Sequence, residues 1–375
     1  PTHLTTPLWL RFSLLPALSD ARKLAGTPWG EREETMKAAI FHENGGPEVV
    51  RIEEVARPEP GRGEVLVEVK AAALNHLDLW VRRGLPIETT MPHIGGSDIA
   101  GVVAELGPEV DDVEVGTRVV VNPPLWRRRC EWCQAGEESM CVRLRILGEH
   151  TQGGFAEYVA VPAANLYPIP DDLPFEEAAA VPLVFQTAWR GLVTRARVRA
   201  GDDVLVTGAS GGAATAAIQI AKLAGARVFA VTTGKNVERV RELGADVVYD
   251  RTAVDFSKEL WKDTGKRGVD VIFDSVGEAT WTQNLRALTR GGRIVVYGAT
   301  TGPNAESDLR QVFWKQLEIL GTTMASRGEF EAVMRLVLRG EMRAVVDVVW
   351  PLDRAREAHE RLERGGQFGK IVLTP

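Results

Sequence analysis

Short segments rich in β-branched residues and punctuated by glycine and proline dominate residues 36 to about 165. Met36–Phe41, Glu64–Lys70 and Gly116–Val121 read as strands, and Asn44–Pro47 supplies a turn after the first of them. This rhythm predicts an antiparallel or barrel-like β domain. From about residue 175 the period lengthens. Asp203–Thr207 reads as a buried strand, Ala213–Leu223 as a helix, Arg227–Val231 as a second strand and Val237–Leu243 as a second helix. Further strands are predicted at Asp246–Tyr249, Val269–Asp274 and Gly292–Tyr297. Strand and helix alternating at this spacing make a doubly wound parallel sheet. The tail returns to the first style, with a strand at Val345–Val349, a charged helix at Leu352–Arg364 and a last strand at Lys370–Leu373. The economical organisation is one α/β domain, 165–325, inserted into a β-rich domain made of 36–164 and 326–375.

Residues 1–35 stand apart. Their apolar stretch, Leu8–Leu18, is broken by Arg11 and Pro16 and is too short to span a membrane. Asp20, Glu31, Glu33 and Glu34 argue against an acid-poor transit sequence, so a poorly ordered extension is expected. Over 375 residues, 45% hydrophobic and 26% charged positions exclude disorder and a collagen-like chain. Lys+Arg 45 against Asp+Glu 51, a net charge of −6, carries no basic excess for nucleic acid, and no membrane partner is expected either. All three cysteines fall between Cys130 and Cys141, which fits metal or former metal chemistry better than a disulfide framework and points to a reducing, cytoplasmic compartment.

The chemistry-bearing loop lies between the first strand and helix of the parallel sheet, at Gly208–Ala214. Gly208 allows a tight turn, Gly211 and Gly212 let a pyrophosphate approach backbone N–H groups, and Ser210 and Ala213 complete the cradle at the positive end of the next helix. An NAD-preferring site usually ends its second strand with an acid that holds the ribose 2′-hydroxyl. Here Val231 leads instead into Thr232, Thr233 and Lys235, which could donate to a 2′-phosphate, with Arg239 as a further donor. That favours NADPH over NADH, although Lys235 and Arg239 as a solvated helix start is an open alternative.

The stretch from Met36 to Leu373 resembles the medium-chain dehydrogenase/reductase family. The resemblance rests on Met36–Ala39, Ala73–Asp78, Gly96–Gly101, Gly116–Val119, Gly153–Tyr158, the phosphate loop and Gly291–Arg293. It implies a GroES-like catalytic domain with an inserted Rossmann domain, a small-molecule substrate in the cleft between them, and a homodimer or homotetramer. Ser275, Gly298 and Lys370 join the candidate cofactor-binding residues. Zinc enzymes of that family hold a catalytic metal with cysteine and histidine. At the matching positions this chain has Asn75, Ser97 and Asp98, with Leu183 at the last, four residues before Thr187. Such a set cannot hold tetrahedral zinc, so no catalytic zinc is expected. His76, Asp78, His93 and Asp98 as an improvised metal site is the alternative.

The family's structural-zinc run of four cysteines is reduced here to Cys130, Cys133 and Cys141, with Arg127 where the first thiolate belongs. Structural zinc therefore stays open, completed by Glu131 or water, and the other reading is a relic loop with Arg127 paired to Glu137 or Glu138.

Without a metal to stabilise an alkoxide, the acceptor should supply its own electron sink, as quinones and α,β-unsaturated carbonyls do. Asn75, His76, Ser97 and Thr187 are candidate donors to the developing oxyanion, and Asp78 a candidate to orient His76. Each of these could equally be structural. Trp80, Phe185 and Trp189 would either line an aromatic slot or belong to the core. The expected activity is a zinc-independent, NADPH-dependent reduction. An alcohol dehydrogenase, or an NADPH-binding redox sensor without turnover, remains as the alternative.

Overall fold

The computed structural model describes residues 34–375 apart from Glu88 and Arg128, so the extension predicted for 1–35 lies outside the described residues except at its last two. From Thr35 to Pro375 the chain forms one compact unit. Its β-rich lobe is built on the long strand Glu64–Ala73, which pairs antiparallel with Asp98–Leu106, with Tyr158–Pro162 and with Lys370–Thr374. Val65, Leu66 and Val67 are fully buried because this strand has sheet on both sides and core on both faces.

The second lobe is a six-stranded parallel sheet. Its spatial order runs Val247–Asp250, Arg227–Thr232, Asp203–Val206, Val269–Asp274, Leu288–Val296, Glu318–Gly321. Order reverses between Asp203–Val206 and Val269–Asp274, and in such sheets the crevice beyond the strand ends at that point takes the ligand. The strands are near-continuous runs of Val, Ile, Leu and Phe because helices cover both faces, so the predicted strands land within a residue or two at most ends.

Small side chains join the lobes. Ala71, Ala73 and Ala100 of the β-rich lobe share one core with Ala178–Ala180, Val184 and Ala188 and with Val204, Val206 and Ala217 of the parallel sheet's lobe. Leu166–Pro168 pairs with Arg118–Val121, and the short helix Phe175–Ala179 packs on Glu64–Ala73 and Asp98–Leu106, so the β-rich lobe continues well past 164. At the other end, helix Arg327–Leu338 packs on Pro182–Trp189, placing Phe330, Val333 and Met334 in the shared core. The next strand of the β-rich lobe after this helix is Val346–Pro351. The tail also departs from an all-antiparallel plan, because Val346–Pro351 pairs parallel to Lys370–Thr374 with helix Ala355–Glu363 as the crossover. No helix among the described residues is long and apolar enough to cross a membrane.

Candidate active site

A cleft of about 780 Å³ opens where the two lobes meet. Asn75, His76 and Trp80 reach it from the start of helix His76–Arg83, and Leu183 and Thr187 from helix Pro182–Trp189. The parallel sheet contributes the strand-end residues Gly208, Ser210–Ala213, Thr232, Thr233, Ser275 and Gly298. The predicted cofactor residues are therefore gathered along one wall, except Lys235 and Lys370.

The glycine loop is shaped as its sequence suggests, with one difference. Gly208 takes φ +58°, a conformation that side chains disfavour, and a Cβ on Gly211 would meet nothing nearer than the Gly208 carbonyl at 3.5 Å. That bare space beside the first turn of helix Gly212–Leu223 fits a pyrophosphate. Gly212 is bare for another reason, because a Cβ there would lie 2.7 Å from Lys370 Cδ and 3.0 Å from Val184 Cγ1. Gly369 N–H donates to the Ser210 carbonyl at 2.8 Å, which ties the loop to the last strand of the β-rich lobe. Thr232 Oγ1 lies 2.8 Å from Ser210 Oγ, which also accepts from Asn236 Nδ2 at 3.0 Å.

Two predicted phosphate readers lie elsewhere. Lys235 is exposed and off the cleft wall. Arg239 stacks 4.0 Å over the Phe368 ring and lies 3.9 Å from Asp347. The cation on the wall is Arg251, which follows the third strand of the sheet. It was missed because only the fold brings the end of that strand beside Thr232 and Thr233.

Lys370 is the largest surprise. Its ammonium, 3% exposed, donates to Asn75 Oδ1 at 2.6 Å and Asp98 Oδ2 at 2.7 Å. Asp98, fully buried, also accepts from Asn75 Nδ2 at 2.9 Å and from Leu183 N–H at 2.8 Å. These are the positions at which the zinc enzymes resembled by this sequence bind catalytic metal. Here the donor set is an amide, a hydroxyl, one carboxylate and a leucine, and the carboxylate is already neutralised by a fixed ammonium. A catalytic zinc does not fit.

The network also corrects the roles foreseen for neighbouring residues. Asn75 lies on the cleft wall, but its amide is committed to Asp98, to the Ala73 carbonyl at 3.4 Å and to Lys370, so it is not a free oxyanion donor. Ser97 is fully buried and off the wall, its Oγ without a partner. Asp78 accepts Asn75 N–H at 2.7 Å and Gly96 N–H at 3.0 Å, so it caps the helix and braces the Gly96 turn rather than orienting His76. Burial pushes its carboxyl up to about 6 against those two hydrogen bonds. His93 packs on Phe41, and its Nε2 lies 3.0 Å from the Gly148 carbonyl, so the improvised metal set does not converge. Phe185 is core, Trp189 packs against the core, and only Trp80 of the three aromatics faces the cleft.

His76 and Thr187 remain on the wall. The His76 pKa is lowered by burial, then by the Lys370 and Arg83 charges, which keeps the ring neutral at pH 7. Glu149 is on the same wall, and no sequence signal singled it out.

Cys130, Cys133 and Cys141 converge, their sulfurs all within 4.8 Å of one another, and are the one such cluster among the described residues. They can supply three of the four donors of a tetrahedral zinc. Burial pushes the Cys133 thiol up to about 11, while the Cys133 and Val142 N–H groups help bring Cys130 down to about 7. Arg127 is exposed, and Glu137 pairs with Arg190 at 2.6 Å rather than with Arg127.

Comparison with known proteins identifies both lobes. The profile of the alcohol dehydrogenase GroES-like domain matches residues 61–171, and that of the zinc-binding dehydrogenase domain matches 212–339. The chain is 33% identical over 342 residues to the acryloyl-coenzyme A reductase of Sulfurisphaera tokodaii, covering 91% of this chain and 100% of that protein. It is 29% identical over 351 residues to the quinone oxidoreductase of Homo sapiens, covering 91% and 98%. A solved NAD-dependent alcohol dehydrogenase superimposes with a TM-score of 0.88 at 46% identity, covering 91% of this chain and 100% of that one.

Proposed function

Since the chain belongs to the medium-chain dehydrogenase/reductase family, and so is an NAD(P)-dependent oxidoreductase, we propose that it reduces a quinone or an α,β-unsaturated carbonyl with NADPH and without catalytic zinc. The observation that carries this reading is the Lys370–Asp98–Asn75 network at the metal position. A zinc ion there would stabilise an alkoxide by several kcal/mol, and each 1.4 kcal/mol is about tenfold in rate. A chain without it favours an acceptor whose negative charge is spread by conjugation. Bound along the glycine loop, a reduced nicotinamide would supply the hydride. Thr187 and the neutral His76 ring are the groups that would hydrogen-bond the oxygen on which negative charge develops, and Trp80, Leu85 and Ile146 give that part of the wall its apolar face. The preference for NADPH rests on Thr232, Thr233 and Arg251, with no acid among the wall residues there.

Zinc in the three-cysteine lobe is compatible with this reading. It would be held by Cys130, Cys133 and Cys141 plus one outside ligand, and none of the three lines the cleft. We also propose a homo-oligomer formed at the open edge of the parallel sheet, Glu318–Gly321, beside the exposed Leu309, Phe313 and Trp314.

The test is NADPH oxidation with 9,10-phenanthrenequinone, an enone and a plain ketone, each with and without chelator. Turnover of the first two, unaffected by chelation, is expected. Ketone turnover abolished by chelator, or alcohol-dependent NAD reduction of similar efficiency, would refute it.

A further inference from the structure

Glu149 has no part in the contacts described so far, yet its backbone is firmly held. Gly148, at φ +72°, abuts Gly96 so closely that a Cβ would come within 2.6 Å of Gly96 C. Leu147 N–H donates to the Pro123 carbonyl at 3.1 Å, and Glu149 N–H to the Ile146 carbonyl at 3.2 Å. The side chain this loop presents to the cleft is 8% exposed, and its Oε2 is buried without a hydrogen-bond partner. Among the described residues, its one ion-pair neighbour within 4.0 Å is His150, whose pKa burial lowers. His150 Nδ1 lies 3.6 Å from Oε2, too far for a hydrogen bond, and already accepts from Ile146 N–H at 3.2 Å. The Arg145 guanidinium is turned to the His150 carbonyl. From helix His76–Arg83, the groups that face this region are the neutral His76 and the carboxyl of Asp78, whose oxygens are both taken by backbone N–H groups. Burial, followed by the Asp78 charge, raises the Glu149 carboxyl to about 7. A buried carboxyl that keeps its proton near neutrality, on the wall of a cleft where His76 carries no surplus proton, is built as an acid.

We propose that Glu149 is the proton donor in reduction of an α,β-unsaturated carbonyl, delivering its proton to the α-carbon; this rests on the reading of the site given above. The hydride from the reduced cofactor forms the new C–H bond at the β-carbon, and the alkene π pair moves to give an enolate. As the enolate's electrons return, they take the Glu149 proton at the α-carbon, leaving a carboxylate that solvent reprotonates. The sum is acceptor, NADPH and one proton in, saturated carbonyl and NADP⁺ out. A hydroquinone anion takes its proton on oxygen, directly from water, so dependence on Glu149 should differ between the two acceptors.

Glu149→Gln keeps shape and removes the proton. Relative to wild type it should lower the ratio of enone to quinone turnover by ~10²-fold or more. It should also abolish the fall in enone kcat/KM above pH about 7 that ionisation of the donor imposes on wild type. In D₂O, wild type should place deuterium on one face of the α-carbon and the variant on both. In cofactor-free protein, the infrared difference between wild type and variant should contain a protonated-carboxyl band that disappears as pH rises through about 7. Glu149→Asp, which retains an acid, should recover the pH limb and one-face labelling at reduced rate, and NADPH binding should be unchanged in both variants. One-face labelling and an unaltered pH limb in Glu149→Gln would overturn the assignment, as would an equal loss with both acceptors. Failure of wild type to reduce any enone, or ketone turnover that chelator abolishes, would instead bring down the underlying reading.

Discussion

Replacing Lys370 by Met tests the buried network most directly, because methionine keeps the stem that passes Gly212 and Val184 while removing the charge. At the 2.7 Å separation from Asp98, the pair's attraction is roughly 6 kcal/mol at an effective dielectric of 20, and removal of each ion from water opposes it by several kcal/mol. The pair's net contribution is therefore small, but either partner alone is costly. In Lys370→Met, Asp98 keeps only the Asn75 amide and Leu183 N–H as donors, and its charge stays fully buried. A loss of about 3–5 kcal/mol in unfolding free energy is expected. Asp98→Asn should cost a similar amount by stranding the ammonium. The double variant Lys370→Met/Asp98→Asn leaves two neutral groups and should recover most of the loss. The assay is urea unfolding at pH 7 followed by circular dichroism on all four proteins, closed as a double-mutant cycle. Single losses below about 1 kcal/mol, or a double variant as unstable as the sum of the singles, would refute the account of an ammonium held as counter-ion at the metal position.

Arg251→Ala should raise the Kd for NADPH by about tenfold or more while leaving that for NADH unchanged, as loss of a charge-assisted contact to a 2′-phosphate requires; an equal change for both cofactors, measured by fluorescence titration, would remove Arg251 from cofactor selection. Because burial raises the Glu149 carboxyl from 4.5 to about 7, the folded state binds its proton more tightly than the unfolded state. The stability this confers is fully present below pH about 4.5 and is lost as pH rises through about 7, a span of roughly 3 kcal/mol. Urea midpoints of Glu149→Gln should therefore gain on wild type across that window, and parallel curves would contradict the burial argument. Phe313→Glu with Trp314→Glu should convert the proposed homo-oligomer to monomer in sedimentation equilibrium, and an unchanged mass would refute an interface at this edge.

Much of the architecture was written in local pattern. A buried parallel strand needs an apolar run and a crossover helix needs its 3.6-residue period, so Val269–Asp274 and Gly212–Leu223 could be read from a dozen residues at a time. The phosphate loop was legible for the same reason, since the positive φ of Gly208 is a property of one residue's backbone. The absence of soft donors at Asn75, Ser97 and Leu183 could be read once the motifs were aligned. What the tertiary structure alone decided is where charges and aromatic rings find their partners. Lys370 meets Asp98 across 272 positions of chain, Arg251 rather than Arg239 stands by the cleft, and Phe185 turns to the core while Trp80 does not. Glu149 acquires its proton affinity only from burial at the cleft wall and from the charge of Asp78, far off in the sequence. Periodicity records how one segment divides between core and solvent, whereas electrostatic environment is set by groups that only chain closure brings within a few ångströms.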